Sequence, residues 1–106
     1  MQYLVIGSNG PGFGGPDEEL EILEHGIMPT FAAIETLQSD GRIVGGGLPV
    51  GERTFVLIVE AASHEELDNL LRDLPAWGAL EWEVTPLQSF SGRAAKEKSV
   101  IARLKG

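Results

Sequence analysis

Apolar runs of strand length predict four β-strands in this chain. They cover residues 2–7, 42–48, 53–61 and 80–87. The third strand is the strongest, because Phe55 to Val59 are apolar on both faces of the strand. In the fourth strand, Trp82 and Val84 alternate with polar side chains, as expected for a strand with one buried face.

Apolar residues at three- and four-residue spacing predict a first helix that begins at Asp17 and ends at Asp40-Gly41. Its apolar stripe consists of Leu20, Leu23, Ile27, Phe31, Ile34 and Leu37. We expect a kink or a break near Gly26 and Pro29, because proline has no amide proton and its ring crowds the preceding turn. A second helix is predicted to follow a capping box in which Ser63 is the N-cap and Glu66 the third helical residue.

The order βαββαβ, with right-handed crossovers, predicts an α+β, ferredoxin-like fold. In this fold a four-stranded antiparallel sheet carries both helices on the same face, and the other face is bare. The bare face would be apolar, because Val56 and Ile58 point away from the helices when Phe55 and Leu57 point toward them. Since large exposed apolar patches are rare on monomers, we expect a second copy to cover this face and form a homo-oligomer. The rival cover is the C-terminal tail.

Composition and charge narrow the classes of protein that the chain can belong to. Its 106 residues suit one domain over residues 1–90, followed by a basic tail over 91–106 that could form a short helix. The net charge is −8; residues 93–106 carry five bases and one acid (+4), whereas residues 1–92 carry three bases and fifteen acids (−12). Such a body repels nucleic acid and anionic membranes. The tail either docks on its own or a neighbouring subunit or remains solvated.

The absence of certain sequence features excludes other classes. The chain has no cysteine, so thiolate metal sites and cysteine nucleophiles are excluded. We expect a cytoplasmic protein without metal or cofactor, because the sequence shows neither a signal peptide nor ligand spacing of the zinc or calcium type. The segment 10–15 formally matches G-x-G-x-x-G, but acids at Asp17 to Glu19 occupy the place of a diphosphate, which favours a flexible loop.

The second half of the chain resembles the muconolactone delta-isomerase family in the segments 63–67, 70–75 and 81–87. The first half, with His25 and the run Asp40-Gly41-Arg42-Ile43-Val44, also resembles the YCII-related family. Both families belong to the dimeric α/β-barrel superfamily. The resemblance spans about residues 2–90. It implies a homo-oligomer with a pocket beside the open sheet face and cofactor-free proton transfer on an unsaturated lactone.

Two acid–base groups are candidates for that chemistry. His25 stands four residues after Glu21, so that a helix would bring the carboxylate beside a possible general base. The alternative is a partly exposed histidine that flanks the core. Glu83 shares a strand face with Glu81 and could serve as acid or base in a cleft, or simply be solvated on an edge strand.

Three further side chains could bind a substrate. Arg42 and Arg53 flank the second and third strands and could hold a carboxylate, or pair with nearby acids. Tyr3 could donate a hydrogen bond inside a barrel or only fill it. His64, in the first turn of the second helix, is interpreted as a surface residue.

These observations support two hypotheses. The first is a muconolactone isomerase-like enzyme that shifts a proton on a small anionic lactone or enol, with His25 as base, Glu21 orienting it and an arginine as anchor. The second is a non-catalytic ligand-binding or assembly module whose cavity between subunits holds a metabolite or nothing.

Overall fold

A computed structural model describes residues 1–9 and 14–106 of the chain. The segment 10–13 of the predicted glycine loop lies outside the described residues. The strands are β1 (Gln2–Asn9), β2 (Ile43–Gly47), β3 (Phe55–Glu60) and β4 (Leu80–Leu87). The helices are α1 (Pro16–Ile22), a π-helical segment (Leu23–Ile27), α2 (Met28–Ser39), α3 (His64–Arg72), a short 3₁₀ turn (Trp77–Ala79) and α4 (Phe90–Leu104).

The four strands form one antiparallel sheet in the order β2-β3-β1-β4. Val5 in β1 lies opposite Leu57 in β3 on one side and Val84 in β4 on the other. This order and the helices between the strands are those of the ferredoxin-like fold, so the predicted fold class is confirmed.

The two faces of the sheet differ sharply in burial. The residues that point toward the helices, among them Val5, Leu57 and Val59, form the core of the domain. The open face carries an apolar strip that is only half-buried in the single chain: Leu4, Ile6, Val56 and Ile58. Side chains alternate along each strand, so Glu81 and Glu83 of β4 share this open face with the strip.

The interruption predicted in the first helix takes the form of the π-helical segment between α1 and α2. There the amide of Met28 bonds to the carbonyl of Leu23, five residues back. Pro29 follows as one of the first residues of α2, where a missing amide proton is tolerated. The helix therefore continues, but with a changed phase, because a π turn holds an additional residue.

The capping box of α3 is confirmed. The hydroxyl of Ser63 accepts a hydrogen bond from the amide of Glu66 at 3.1 Å. The carboxylate of Glu66 in turn accepts from the amide of Ala62 at 2.8 Å. These two bonds fix the first turn of α3 and make His64 its first helical residue.

The C-terminal segment is helical over most of its length. It forms α4, a helix of 15 residues that is N-capped by the Ser89 hydroxyl. None of its residues is buried, and it does not fold back over the open face of the sheet. Within the described chain, the C-terminal segment therefore does not cover the open face.

Candidate functional site

Tyr3 is only 1% exposed, and its hydroxyl lies beside the imidazole of His64. The hydroxyl oxygen lies 2.7 Å from Nδ1 of His64, and the two atoms share a hydrogen bond. The rings meet edge to face, with their centroids 5.7 Å apart. The same hydroxyl donates a weak hydrogen bond to the Sδ atom of Met1 at 3.8 Å. A buried phenol is thus coupled to an imidazole on an exposed residue.

Local sequence explains why these two side chains meet. Tyr3 occupies a position of β1 that points toward the helices, opposite Val59 of β3. The capping box fixes His64 at the start of α3, and side chains of a helix lean back toward its N-terminus. The imidazole is therefore held over the beginning of β1 rather than directed freely into solvent.

The pair lines a cavity of about 280 Å³ between α3 and the edge strand β4. This cavity lies on the helix side of the sheet. Its walls are mostly apolar, and the lining residues are Tyr3, His64, Leu67, Asp68, Leu71, Val84 and Pro86. Pockets for drug-sized ligands typically measure about 300–1,000 Å³, so this one suits a small molecule.

One further charged group borders the cavity. Asp68 accepts a hydrogen bond from Nε of Arg72 at 2.9 Å, one turn along α3. Arg72 in turn lies over the ring of Trp77, 4.7 Å from its centroid. The carboxylate at the cavity is thus paired with a guanidinium that is itself stacked, which reduces its repulsion of an anion.

The structure does not bring the predicted base and its orienting acid together. His25 lies in the π-helical segment with 69% of its side chain exposed. The carboxylate within ion-pair distance of its Nε2 atom is that of Glu24, at 4.0 Å, rather than that of Glu21. Neither His25 nor Glu21 lines any of the four cavities described here.

The other predicted site residues lie apart from one another. Glu83 is exposed on the open face of the sheet. Arg42 lines a groove of about 250 Å³ between α2 and α3. Arg53 bonds to Glu19 at 3.1 Å and lines an open depression next to Ser8. Of the predicted residues, Tyr3 alone shares a cavity with a histidine, and none of the four cavities is lined by two of them.

Another apolar cavity, of about 170 Å³, separates α2 from β2. The glycines of β2 form one wall of it, and Phe31 and Phe55 form part of another. Glu35 and Gln38 are its polar lining residues. It contains no histidine, so an acid–base reaction has fewer groups to use here than beside Tyr3.

Over residues 1–9 and 14–106, no group of three or more histidine, aspartate or glutamate side chains could hold an ion. Within the same ranges, no helix combines the length and apolar character required to cross a bilayer.

These features define a class: a ferredoxin-like α+β protein with a small cavity lined by a tyrosine–histidine pair. Residues 14–92 match the family model of muconolactone delta-isomerase, which covers well over half of the chain. The chain therefore belongs to the muconolactone delta-isomerase family, as its sequence resemblance predicted. Family membership makes it an isomerase-like small-molecule protein.

Solved structures agree with this fold. Muconolactone isomerase superimposes with a TM-score of 0.67 at 19% identity, over 84% of this chain and 90% of the other. The 5-chloro-2-hydroxyhydroquinone dehydrochlorinase of Burkholderia phenoliruptrix AC1100, in complex with 2,5-dihydroxybenzoquinone, gives 0.65 at 20% identity, over 87% and 98%. At such identities the likeness concerns the fold alone. No curated protein sequence matches the chain significantly.

Proposed function

We propose that this protein is a cofactor-free isomerase that moves a proton between two carbons of a small anionic lactone or enol. The reaction takes place in the cavity between α3 and β4, with His64 as the base and Tyr3 as a hydrogen-bond donor to the substrate. The observation that carries the proposal is the 2.7 Å hydrogen bond between the buried Tyr3 hydroxyl and Nδ1 of His64.

The chemistry follows from the number of protons that the pair holds. A neutral imidazole has one N–H donor and one acceptor nitrogen, and a phenol has one donor and two acceptor sites. When Nδ1–H donates to the Tyr3 oxygen, Nε2 is left with a free electron pair and the Tyr3 proton is available for another acceptor. Nε2 can then take a proton from carbon while Tyr3 donates to the substrate oxygen on which negative charge develops.

The proton balance closes without another reactant. The proton taken by Nε2 makes the imidazole cationic and the substrate an enolate. Returning that proton to a different carbon of the same substrate shifts the double bond and restores the neutral imidazole. The apolar walls, Leu67, Leu71 and Val84 among them, exclude water and strengthen these interactions. The Asp68–Arg72 pair keeps the border of the cavity close to neutral.

The proposed enzyme is a homodimer that buries the open face of the sheet. The half-buried strip of Leu4, Ile6, Val56 and Ile58 supports this, because it has no cover within the described chain. Replacing Ile58 with glutamate places a charge in the strip and should yield monomers in sedimentation equilibrium. The same replacement at the exposed Val50, which lies outside the sheet, is the matched control and should leave the dimer intact.

The proposed reaction is tested by incubating the protein in D₂O with muconolactone and related small unsaturated lactones. Proton NMR follows both isomerisation and the exchange of carbon-bound hydrogen for deuterium. We expect exchange with the wild-type protein and a loss of about 10²-fold or more with Tyr3→Phe, which keeps the ring but removes the donor. Binding of the same compounds is measured in parallel by calorimetry.

Two other outcomes are informative. If the wild-type protein binds a lactone but catalyses hydrogen exchange in none of them, the enzymatic proposal is contradicted and a non-catalytic binding module is supported. Exchange that persists in Tyr3→Phe would support an isomerase but contradict the placement of its site. The fold of Tyr3→Phe is checked by near-UV circular dichroism.

A further inference from the structure

The groove between α2 and α3 holds two opposite charges that do not neutralise each other. Arg42 and Asp73 both line it, yet they form no ion pair with each other, and neither has another ion-pair partner within residues 1–9 and 14–106. The groove shares no lining residue with the Tyr3–His64 cavity. It is therefore a candidate for a second binding site, separate from the one in which the reaction is proposed.

The apolar lining of this groove is aliphatic. Leu37, Leu70 and Leu74 provide most of it, and the last two are buried in the core of the domain. None of the described residues that line the groove is aromatic. Its volume of about 250 Å³ lies below the range of about 300–1,000 Å³ that is typical for drug-sized ligands. A fitting ligand thus has a short aliphatic body.

On the α3 side, Asp73 stands where a carboxylate is unfavourable on a helix. It is the C-cap of α3, and the last carbonyl groups give that end of a helix a partial negative charge. The neighbouring cation, Arg72, is engaged elsewhere, because its Nε donates to Asp68 at 2.9 Å and its guanidinium lies over the ring of Trp77. An ammonium group of a ligand would supply the missing positive charge.

On the α2 side, the backbone of Arg42 is fixed. Its amide donates to the carbonyl of Leu37 at 2.9 Å, and its carbonyl accepts from the amide of Glu60 at 2.7 Å. The forked donors of a guanidinium match a carboxylate. A ligand with negative charge alone would be repelled by Asp73 and by the net charge of −12 over residues 1–92. The groove therefore favours a carboxylate ligand that is also a cation.

We propose that this groove binds a free α-amino acid with a branched aliphatic side chain. The carboxylate of the ligand bonds to Arg42, its ammonium group donates to Asp73, and its side chain packs against the leucines. Two hydrogen bonds of about 3 Å, with the ligand between them, connect charges that lie too far apart to pair directly. This binding does not depend on the proposed isomerase reaction.

The first test compares three ligands that share a branched aliphatic body and differ in their charged groups. L-leucine carries both charges, 4-methylpentanoate lacks the ammonium group, and 3-methylbutylamine lacks the carboxylate. Binding to the full chain is followed by NMR from the amide signals of ¹⁵N-labelled protein. We expect L-leucine to shift the signals of groove residues with a dissociation constant of about 1 mM or lower, and each analogue to bind at least about tenfold more weakly.

Two variants then remove the charges one at a time. Arg42→Gln should weaken L-leucine at least about tenfold but should not weaken 3-methylbutylamine, which has no carboxylate. Asp73→Asn should weaken L-leucine to a similar extent but should not weaken 4-methylpentanoate, which has no ammonium group. Arg93→Gln and Asp40→Asn make the same changes at residues that line none of the described cavities, and they should leave the binding of L-leucine unchanged.

Three results would overturn the proposal. If L-leucine, L-isoleucine and L-valine all fail to shift the groove signals, the groove does not bind this class of ligand. If either analogue binds as tightly as L-leucine, recognition does not use both charges. If the shifts concentrate at Tyr3 and His64, the ligand occupies the other cavity. Should a variant unfold, the comparison of the three ligands on the wild-type protein still decides.

Discussion

The hydroxyl of Thr30 in α2 accepts a hydrogen bond from the amide of Ala76, which lies beyond the end of α3, at 2.8 Å. The same oxygen donates its own proton to the carbonyl of Gly26 at 2.8 Å. Thr30 is 0% exposed, and Ala76 is buried as well. One buried hydroxyl thus bonds to two backbone groups, and it joins the π-helical segment to the chain that follows α3.

Replacing Thr30 with valine keeps the shape of the side chain but leaves the amide of Ala76 without its partner. A buried donor without an acceptor costs about 1–3 kcal/mol, and we expect the free energy of unfolding to fall by that amount. Urea denaturation measures it. Thr36→Val is the control, because the Thr36 hydroxyl also bonds to a helix carbonyl, that of Ala32, but is exposed, so its change should stay within about 0.5 kcal/mol. Equal effects of the two replacements would contradict the role assigned to Thr30.

Gly46 is the position in β2 at which a side chain cannot be accommodated. Its φ is +124°, and a Cβ atom would overlap the carbonyl oxygen of Val56 in β3. Gly46→Ala should therefore destabilise the protein by at least about 1–3 kcal/mol, since backbone cannot rotate away as a side chain can. Gly47→Ala, where a Cβ atom meets nothing within 4 Å, should change the thermal midpoint little. A Gly46→Ala protein as stable as Gly47→Ala would show that the close approach of β2 and β3 is not required.

The N-cap of α3 is predicted to affect function as well as stability. Ser63→Ala removes the bond to the amide of Glu66 and should cost about 1 kcal/mol. Because this bond fixes the turn that holds His64, hydrogen exchange of the lactone substrate should slow as well. Ser89→Ala removes the equivalent cap of α4 and should leave that exchange rate unchanged. Should the two variants slow it equally, the cap would not be what positions His64.

Much of the fold could be predicted from local sequence. The apolar run from Phe55 to Val59 and the capping box at Ser63 are determined within a few residues, and both are found as expected. The glycine and proline at 26 and 29 correctly indicated an irregular helix. They did not reveal that it would be a π turn, because the turn depends on tertiary contacts such as that of Thr30 with Ala76.

The candidate site was less predictable because it depends on contacts between distant residues. Tyr3 and His64 are 61 positions apart. Tyr3 is a candidate for substrate binding from its own segment, but nothing in the segment of His64 indicates more than a surface residue. The available signal was a capping box that directs the first helical side chain back toward an inward-facing tyrosine. The Glu21–His25 pair illustrates the opposite case, since its four-residue spacing assumed an α-helix, and the π-helical segment between them changes the helical phase.

The account depends most on which histidine acts as the base, and one comparison tests it directly. Deuterium exchange into muconolactone or a related lactone is measured by NMR for the wild type, His64→Gln and His25→Gln. His64→Gln should lower the exchange rate by about 10²–10⁴-fold, whereas His25→Gln should leave it within about twofold, because His25 lines none of the described cavities. Exchange that survives in His64→Gln and disappears in His25→Gln would contradict the Tyr3–His64 site. It would instead identify His25 of the π-helical segment as the base.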